Sequence, residues 1–235
     1  MKIALVGYGK MGKIIGEIAE KRGHEIVAKL NETPTLSNLN HPDVVIEFSN
    51  PEVAFTNIKF CLENQIPVVC GTTGWLQQKP AVEAIAITHQ TAFLYGSNFS
   101  LGVNLFFALN EQLSNLMKNF SEYSVQLEEI HHTHKKDAPS GTAITLAEEI
   151  IKNDQRFSGW KLDETQGDQL GIFAIREDEV PGTHSVFYKS EVDEIEIKHT
   201  AFNRNGFALG AVVAAEWILG RKGNFTMKDV LFGTK

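Results

Sequence analysis

The run His131-His132-Thr133-His134-Lys135-Lys136-Asp137-Ala138-Pro139-Ser140-Gly141-Thr142 places three imidazoles and two ammonium groups within six positions. Imidazole moves protons near neutral pH. Pro139 suits a first helical position, so Ser140, Gly141 and Thr142 read as a helix start with free backbone N–H groups. A carboxylate held there gains charge-assisted hydrogen bonds worth about 1.5–3 kcal/mol each, against about 0.3–1 kcal/mol from the helix dipole. The hydrogen bonds therefore dominate, and Gly141 leaves room for close approach. The pattern predicts an anion site that handles protons. Clustered histidines also raise the question of a metal, but flanking lysines and missing thiolate or carboxylate partners point to none.

A second constellation lies at the other end. Gly7-Tyr8-Gly9-Lys10-Met11-Gly12 follows the apolar run Lys2–Val6 and opens a helical pattern. In that context GxGxxG allows a tight turn and lets a pyrophosphate approach a helix N-terminus. Asn31 and Glu32 stand at the end of the second strand, where an acid hydrogen-bonds the adenosine ribose and repels the extra phosphate of NADP. Glu32 thus favours NADH over NADPH, and alternation turns Lys29 away.

Strands over Lys2–Val6, Glu25–Leu30, Asp43–Phe48, Pro67–Cys70 and Ala92–Tyr95 alternate with helices over Met11–Arg22, Glu52–Asn64 and Pro80–His89. This βαβ rhythm predicts an α/β fold with a Rossmann-type, doubly wound parallel sheet. The segment Asn31–Pro42 is too short for a full crossover helix. After Asn98 the rhythm changes. Helices over Leu101–Lys118 and Ser140–Asn153 mix with strands over Ser124–Ile130, Leu170–Arg176, His184–Lys189 and Glu194–His199, a smaller α+β domain with a four-stranded mixed sheet. An alanine-rich helix, Phe207–Leu219, packs back on the first domain. The predicted division is 1–102 with 205–235 for dinucleotide binding, and 103–204 for substrate binding and oligomerisation.

The chain's 235 residues are 43% hydrophobic, enough for real cores. No apolar run approaches the roughly 20 residues of a membrane span, and the opening run is too short for a signal peptide. A formal charge of −7 with no basic stripe speaks against nucleic acid as a partner. Cys61 and Cys70 read as buried thiols in a reducing cytoplasm. His24, His41, His89 and His199 lack a comparable context, and Trp75, Trp160 and Trp217 read as packing.

Three further blocks carry a resemblance: Cys70-Gly71-Thr72-Thr73-Gly74, Ser97-Asn98-Phe99-Ser100-Leu101-Gly102-Val103-Asn104, and the His131–Thr142 run, in this order behind the glycine turn. The chain resembles the dihydrodipicolinate reductases of bacterial lysine and diaminopimelate synthesis over most of its length. The resemblance implies NAD(P)H-dependent reduction of a cyclic dicarboxylate by a homotetramer. It implies that Gly71, Thr72, Thr73, Gly96, Ser97, Asn98 and Phe99 line the nicotinamide end of the cofactor. It makes His131 and Lys135 the proton-handling groups, and His132, Ser140, Gly141, Thr142 and Arg204 the substrate contacts. Many members carry an acid and then a base after the second strand, and here Asn31 and Glu32 replace them, which speaks against a preference for NADPH. Another two-domain dehydrogenase, or a dinucleotide-binding sensor without catalysis, are the competing readings. A sensor leaves the His/Lys run without a purpose.

Overall fold

The computed structural model describes residues 1–233. Residues 234 and 235, which the sequence reading places in the first domain, lie outside them. The chain divides into two compact units. One comprises residues 1–101 and the described residues from Asn205 on, the other Gly102–Arg204.

The first unit carries β1 (Lys2–Val6), α1 (Lys10–Lys21), β2 (Glu25–Leu30), α2 (Leu36–Leu39), β3 (Val44–Glu47), α3 (Pro51–Glu63), β4 (Val68–Cys70), α4 (Lys79–Thr88) and β5 (Ala92–Tyr95). Its strands form a parallel sheet in the order β2-β1-β3-β4-β5, extended at the edge by a late strand. Successive residues of β1 serve opposite faces, as strand geometry requires. Ile3 and Leu5 join Ile15 and Ala19 of α1, while Ala4 and Val6 join Ala54 and Ile58 of α3. A sheet covered on both faces leaves no polar alternation, which is why β1, β3 and β4 read as solid apolar runs. Between β2 and β3 the crossover shrinks to the single turn of α2, capped by Thr35 and Asn38.

The second unit holds α5 (Leu101–Met117, which begins at the boundary), β6 (Ser124–His131), α6 (Gly141–Asn153), β7 (Gly159–Leu162), β8 (Gln169–Arg176), β9 (Gly182–Lys189) and β10 (Glu194–Ala201). Its mixed sheet runs β10-β9-β6-β8-β7, with β6–β8 and β8–β7 parallel and the other pairs antiparallel. It has five strands where four were expected. β7 is a four-residue segment defined by pairing with β8 rather than by its own alternation. The core is Val125 and Leu127 of β6 with Leu146 and Ile150 of α6 and Ile172 of β8.

The chain then returns to the first unit as α7 (Asn205–Ile218), β11 (Gly223–Phe225) and α8 (Met227–Phe232). Ala208, Ala211 and Ala215 of α7 lie in the same core as α1. β11 pairs in parallel with β5 and completes a six-stranded sheet. Three residues containing glycine and asparagine give no strand signal, so β11 exists through its partner alone.

Candidate active site

In the first unit the strand order reverses between β1 and β3, the switch point at which open α/β sheets bind ligands. A cavity of about 410 Å³ opens there, lined by Gly7 and Gly9 after β1, Glu32 and Thr33 after β2, and Ser49 and Asn57 near α3. Gly7 has φ +94°, and a Cβ on it would stand 2.2 Å from the Phe48 carbonyl oxygen. Gly12 closes the same turn, since its Cβ would lie 2.3 Å from the Gly7 oxygen. Gly9 differs: nothing lies within 4 Å of where its Cβ would be. No side chain caps α1 and no acid occupies its first turn. Open space at an uncapped helix start fits a pyrophosphate.

Tyr8, Lys10 and Met11 surround this turn, with Lys10 exposed. Asn31 turns its amide oxygen onto the Tyr8 N–H at 2.8 Å and so braces the turn. Glu32 is the one charged residue lining the cavity among the described residues. Lys29 points away, over the Tyr8 ring and toward Glu20. Gly71 packs on Phe48, and Thr73 is exposed. Thr72 is buried, its carbonyl accepting from the Trp75 indole at 2.7 Å. Of the second expected block, Ser97 is exposed, the Asn98 side chain accepts from the Ser100 N–H, and Gly96 lies on the Phe99 ring. Phe99 itself is a core residue, 5.6 Å from Phe48 ring to ring. Cys70 donates to the fully buried Glu47, and burial holds its thiol well above the ordinary range, so it is inert.

In the second unit β6 carries the chemistry. Val125, Leu127, Glu129 and His131 share one face of the strand, and that face turns from apolar to polar at its end. His184 of β9 stands opposite Glu129, and Arg176 of β8 opposite His131. Glu129 is fully buried. One of its oxygens accepts the Ser140 N–H at 2.9 Å, and the other accepts from Arg176 at 3.1 Å. His131 is 7% exposed, with Nδ1 at 3.7 Å from Glu129 and its ring 5.0 Å from that of His184. Burial lowers the His131 pKa, and Glu129 opposes the shift. Burial pushes His184 down to about 3, so it stays neutral at physiological pH.

The structure corrects the reading of the helix start. α6 begins at Gly141, and Pro139 precedes the cap instead of occupying the first turn. Ser140 is that cap: its hydroxyl accepts from the Ala143 N–H at 3.2 Å and shares a hydrogen bond of 3.0 Å with His184. It is 3% exposed and committed to holding the turn. The N–H groups of Gly141 and Thr142 remain at the helix start, and Gly141 is exposed with nothing within 4 Å of a Cβ position. Lys135 is held by both oxygens of Asp137 at 2.8 and 2.9 Å, and the ammonium keeps the Asp137 carboxyl below its usual range. His132 is half-buried, its ring 6.2 Å from that of the exposed His134. Lys136 and Arg204 are exposed.

Glu129, Arg176 and His184 escaped the sequence reading. Only Glu129 left a signal: an acid in the same parity as Val125 and Leu127. Glu129, His131 and His184 offer donor atoms within 4.8 Å of one another. Those of Glu129 and His184 are already spent on Ser140, and the Arg176 cation adjoins them, so the group does not fit a metal.

Comparison with known proteins accounts for both units. The model of the dihydrodipicolinate reductase N-terminus matches residues 1–99, and that of the C-terminus residues 102–231. A 4-hydroxy-tetrahydrodipicolinate reductase of Christiangramia forsetii is 53% identical over 233 residues, 98% of each chain. One from Methanoregula boonei is 34% identical over 98% of this chain and 97% of its own. A dipicolinate-bound dihydrodipicolinate reductase from Paenisporosarcina sp. TG-14 has the same fold, with TM-score 0.79 at 22% identity over 98% and 99% of the two chains. With both halves of its length matched and more than half of its residues shared with one such reductase, this chain belongs to the dihydrodipicolinate reductase family.

Proposed function

We propose that the chain reduces 4-hydroxy-tetrahydrodipicolinate to tetrahydrodipicolinate with NAD(P)H, in lysine and diaminopimelate biosynthesis in the cytoplasm. The observation that carries this reading is one juxtaposition in the second unit: a buried imidazole, His131, and the N–H groups of Gly141 and Thr142 at the start of α6. Relatives bearing the reductase name match the chain over nearly its whole length.

NAD(P)H, when bound, supplies the hydride. The first unit holds it, with Gly9 and the start of α1 against the phosphates and Glu32 at the adenosine ribose. An acid there, with no cation lining the cavity among the described residues, favours NADH. The second unit holds the dicarboxylate. Gly141 and Thr142 donate to one carboxylate, with His132 and Arg204 as further contacts. The 4-hydroxyl leaves as water, hydride addition to the resulting conjugated ring leaves negative charge there, and His131 and Lys135 manage the proton that quenches it. Burial keeps His131 unprotonated when free. A dianion beside it favours the imidazolium, so substrate arrival charges the proton donor.

Steady-state oxidation of NADH and NADPH by 4-hydroxy-tetrahydrodipicolinate tests the reading. His131→Gln is expected to lower kcat by about 10²–10⁴ with dinucleotide affinity intact. Loss of dinucleotide binding in that variant would mean that the site is misplaced. Glu32→Arg should raise kcat/KM with NADPH at the expense of NADH. A strong NADPH preference in the unaltered protein would refute the role given to Glu32. We also propose a homotetramer, on the strength of the exposed edge strand β10.

A further inference from the structure

We infer that Glu129 is a positioning residue for this reaction: its buried carboxylate fixes His131 and the start of α6 as one unit, and its charge governs whether His131 is protonated. The inference rests on the proposed roles of His131 and of the α6 start.

The geometry is that of a clamp. One Glu129 oxygen takes the Ser140 N–H at 2.9 Å and lies 3.7 Å from His131 Nδ1 and 3.8 Å from His184 Nε2. The other takes the Arg176 guanidinium at 3.1 Å, and the same guanidinium nitrogen donates to the Asp137 carbonyl at 2.7 Å. Both sides of the loop's exit, Asp137 and Ser140, are thereby tied to a single carboxylate. A fully buried carboxylate is retained only when its lone pairs are used, and here one cation and one backbone N–H use them.

His131 supplies a second, independent observation. Its Nδ1 is buried and has no hydrogen-bond partner among the described residues, a costly state for a ring nitrogen. The Glu129 oxygen, just beyond bonding distance, is the acceptor a small ring rotation would reach, and that bond exists only when Nδ1 carries a proton. The groups facing His131 are Glu129 on its own strand, Arg176 on β8, His184 on β9, and Lys135 and Asp137 from the loop. Glu129 is the nearest acid of the set and the one without exposure.

The test uses Glu129→Gln, which removes the charge and keeps the shape, beside Arg176→Gln, which removes the opposing cation. The His131 ring protons are titrated by NMR in the full-length protein, in Glu129→Gln and in Arg176→Gln. The midpoint should fall in Glu129→Gln and rise in Arg176→Gln. Glu129→Gln should also lose at least roughly tenfold in kcat and raise KM for the dicarboxylate. Its dinucleotide affinity should be unchanged, because that site is built by the other unit. Glu129→Asp should recover part of the midpoint shift. A purely architectural role leaves the His131 midpoint unmoved in Glu129→Gln, and that result would overturn the inference. If Glu129→Gln does not fold, Glu129→Asp decides alone: a smaller fall of the midpoint supports the inference, and no change defeats it. Failure of the unaltered protein to turn over 4-hydroxy-tetrahydrodipicolinate would refute the proposed function instead, and the titration would still test the clamp.

Discussion

Gly9 and Gly12 sit three residues apart in one turn, yet the chain needs them for different reasons. A Cβ at Gly12 would strike the Gly7 carbonyl at 2.3 Å, whereas a Cβ at Gly9 would meet nothing. Gly12→Ala should therefore cost about 1–3 kcal/mol of stability by overpacking, read from urea unfolding. Gly9→Ala should leave stability unchanged and weaken dinucleotide binding at least roughly tenfold, read by fluorescence titration. Equal stability losses in the two variants would remove the case for a ligand at Gly9. The same contrast separates Gly141 from Ser140. The resemblance implies that both touch the substrate, and the structure leaves Gly141 open while it spends Ser140 on a cap.

Strand β6 shows what an element reveals and what it conceals. Its alternation was visible in the sequence, and so were the bounds of β1, β2 and β5. What alternation cannot say is which strand lies opposite, so the meeting of Glu129 with Arg176 and His184 waits on pairing between distant segments. β7 and β11 were illegible for a related reason, since Gly159–Leu162 and Gly223–Phe225 offer neither a period nor the apolar run that marks the similarly short β5. The polar end of this face also sets an acid limit. The folded His184 titrates at about 3, below the ordinary histidine value of 6.5, and His131 shifts the same way. A depressed pKa means that the unfolded chain binds the proton first. Stability is therefore full above about pH 6.5 and falls as pH drops, with a slope approaching about 1.4 kcal/mol per pH unit for each such ring. Urea unfolding between about pH 6.5 and 5, above the carboxylate range, should display that slope. His184→Gln should flatten it by about one proton, and an unaltered slope would show that His184 does not titrate as the structure indicates.

At the scale of the molecule, the second unit ends in an unpaired edge. β10 lies at the border of its sheet, Ile195 within it is exposed, and Val192 just before it is 88% exposed. An uncovered edge invites further pairing or association. Light scattering should find four chains, and Val192→Glu with Ile195→Lys should reduce that number. A monomer at assay concentrations would reject the tetramer.

The order of the segments also governs how the protein is made. The alanines of α7 fill the core beside α1, and β11 supplies the last strand of the first sheet. A ribosome releases those residues only after all of the second unit, so the nascent dinucleotide-binding half waits, with one flank bare, while the later half is synthesised. Chaperones that guard exposed apolar surface would find their target on that waiting flank, the one α7 eventually covers.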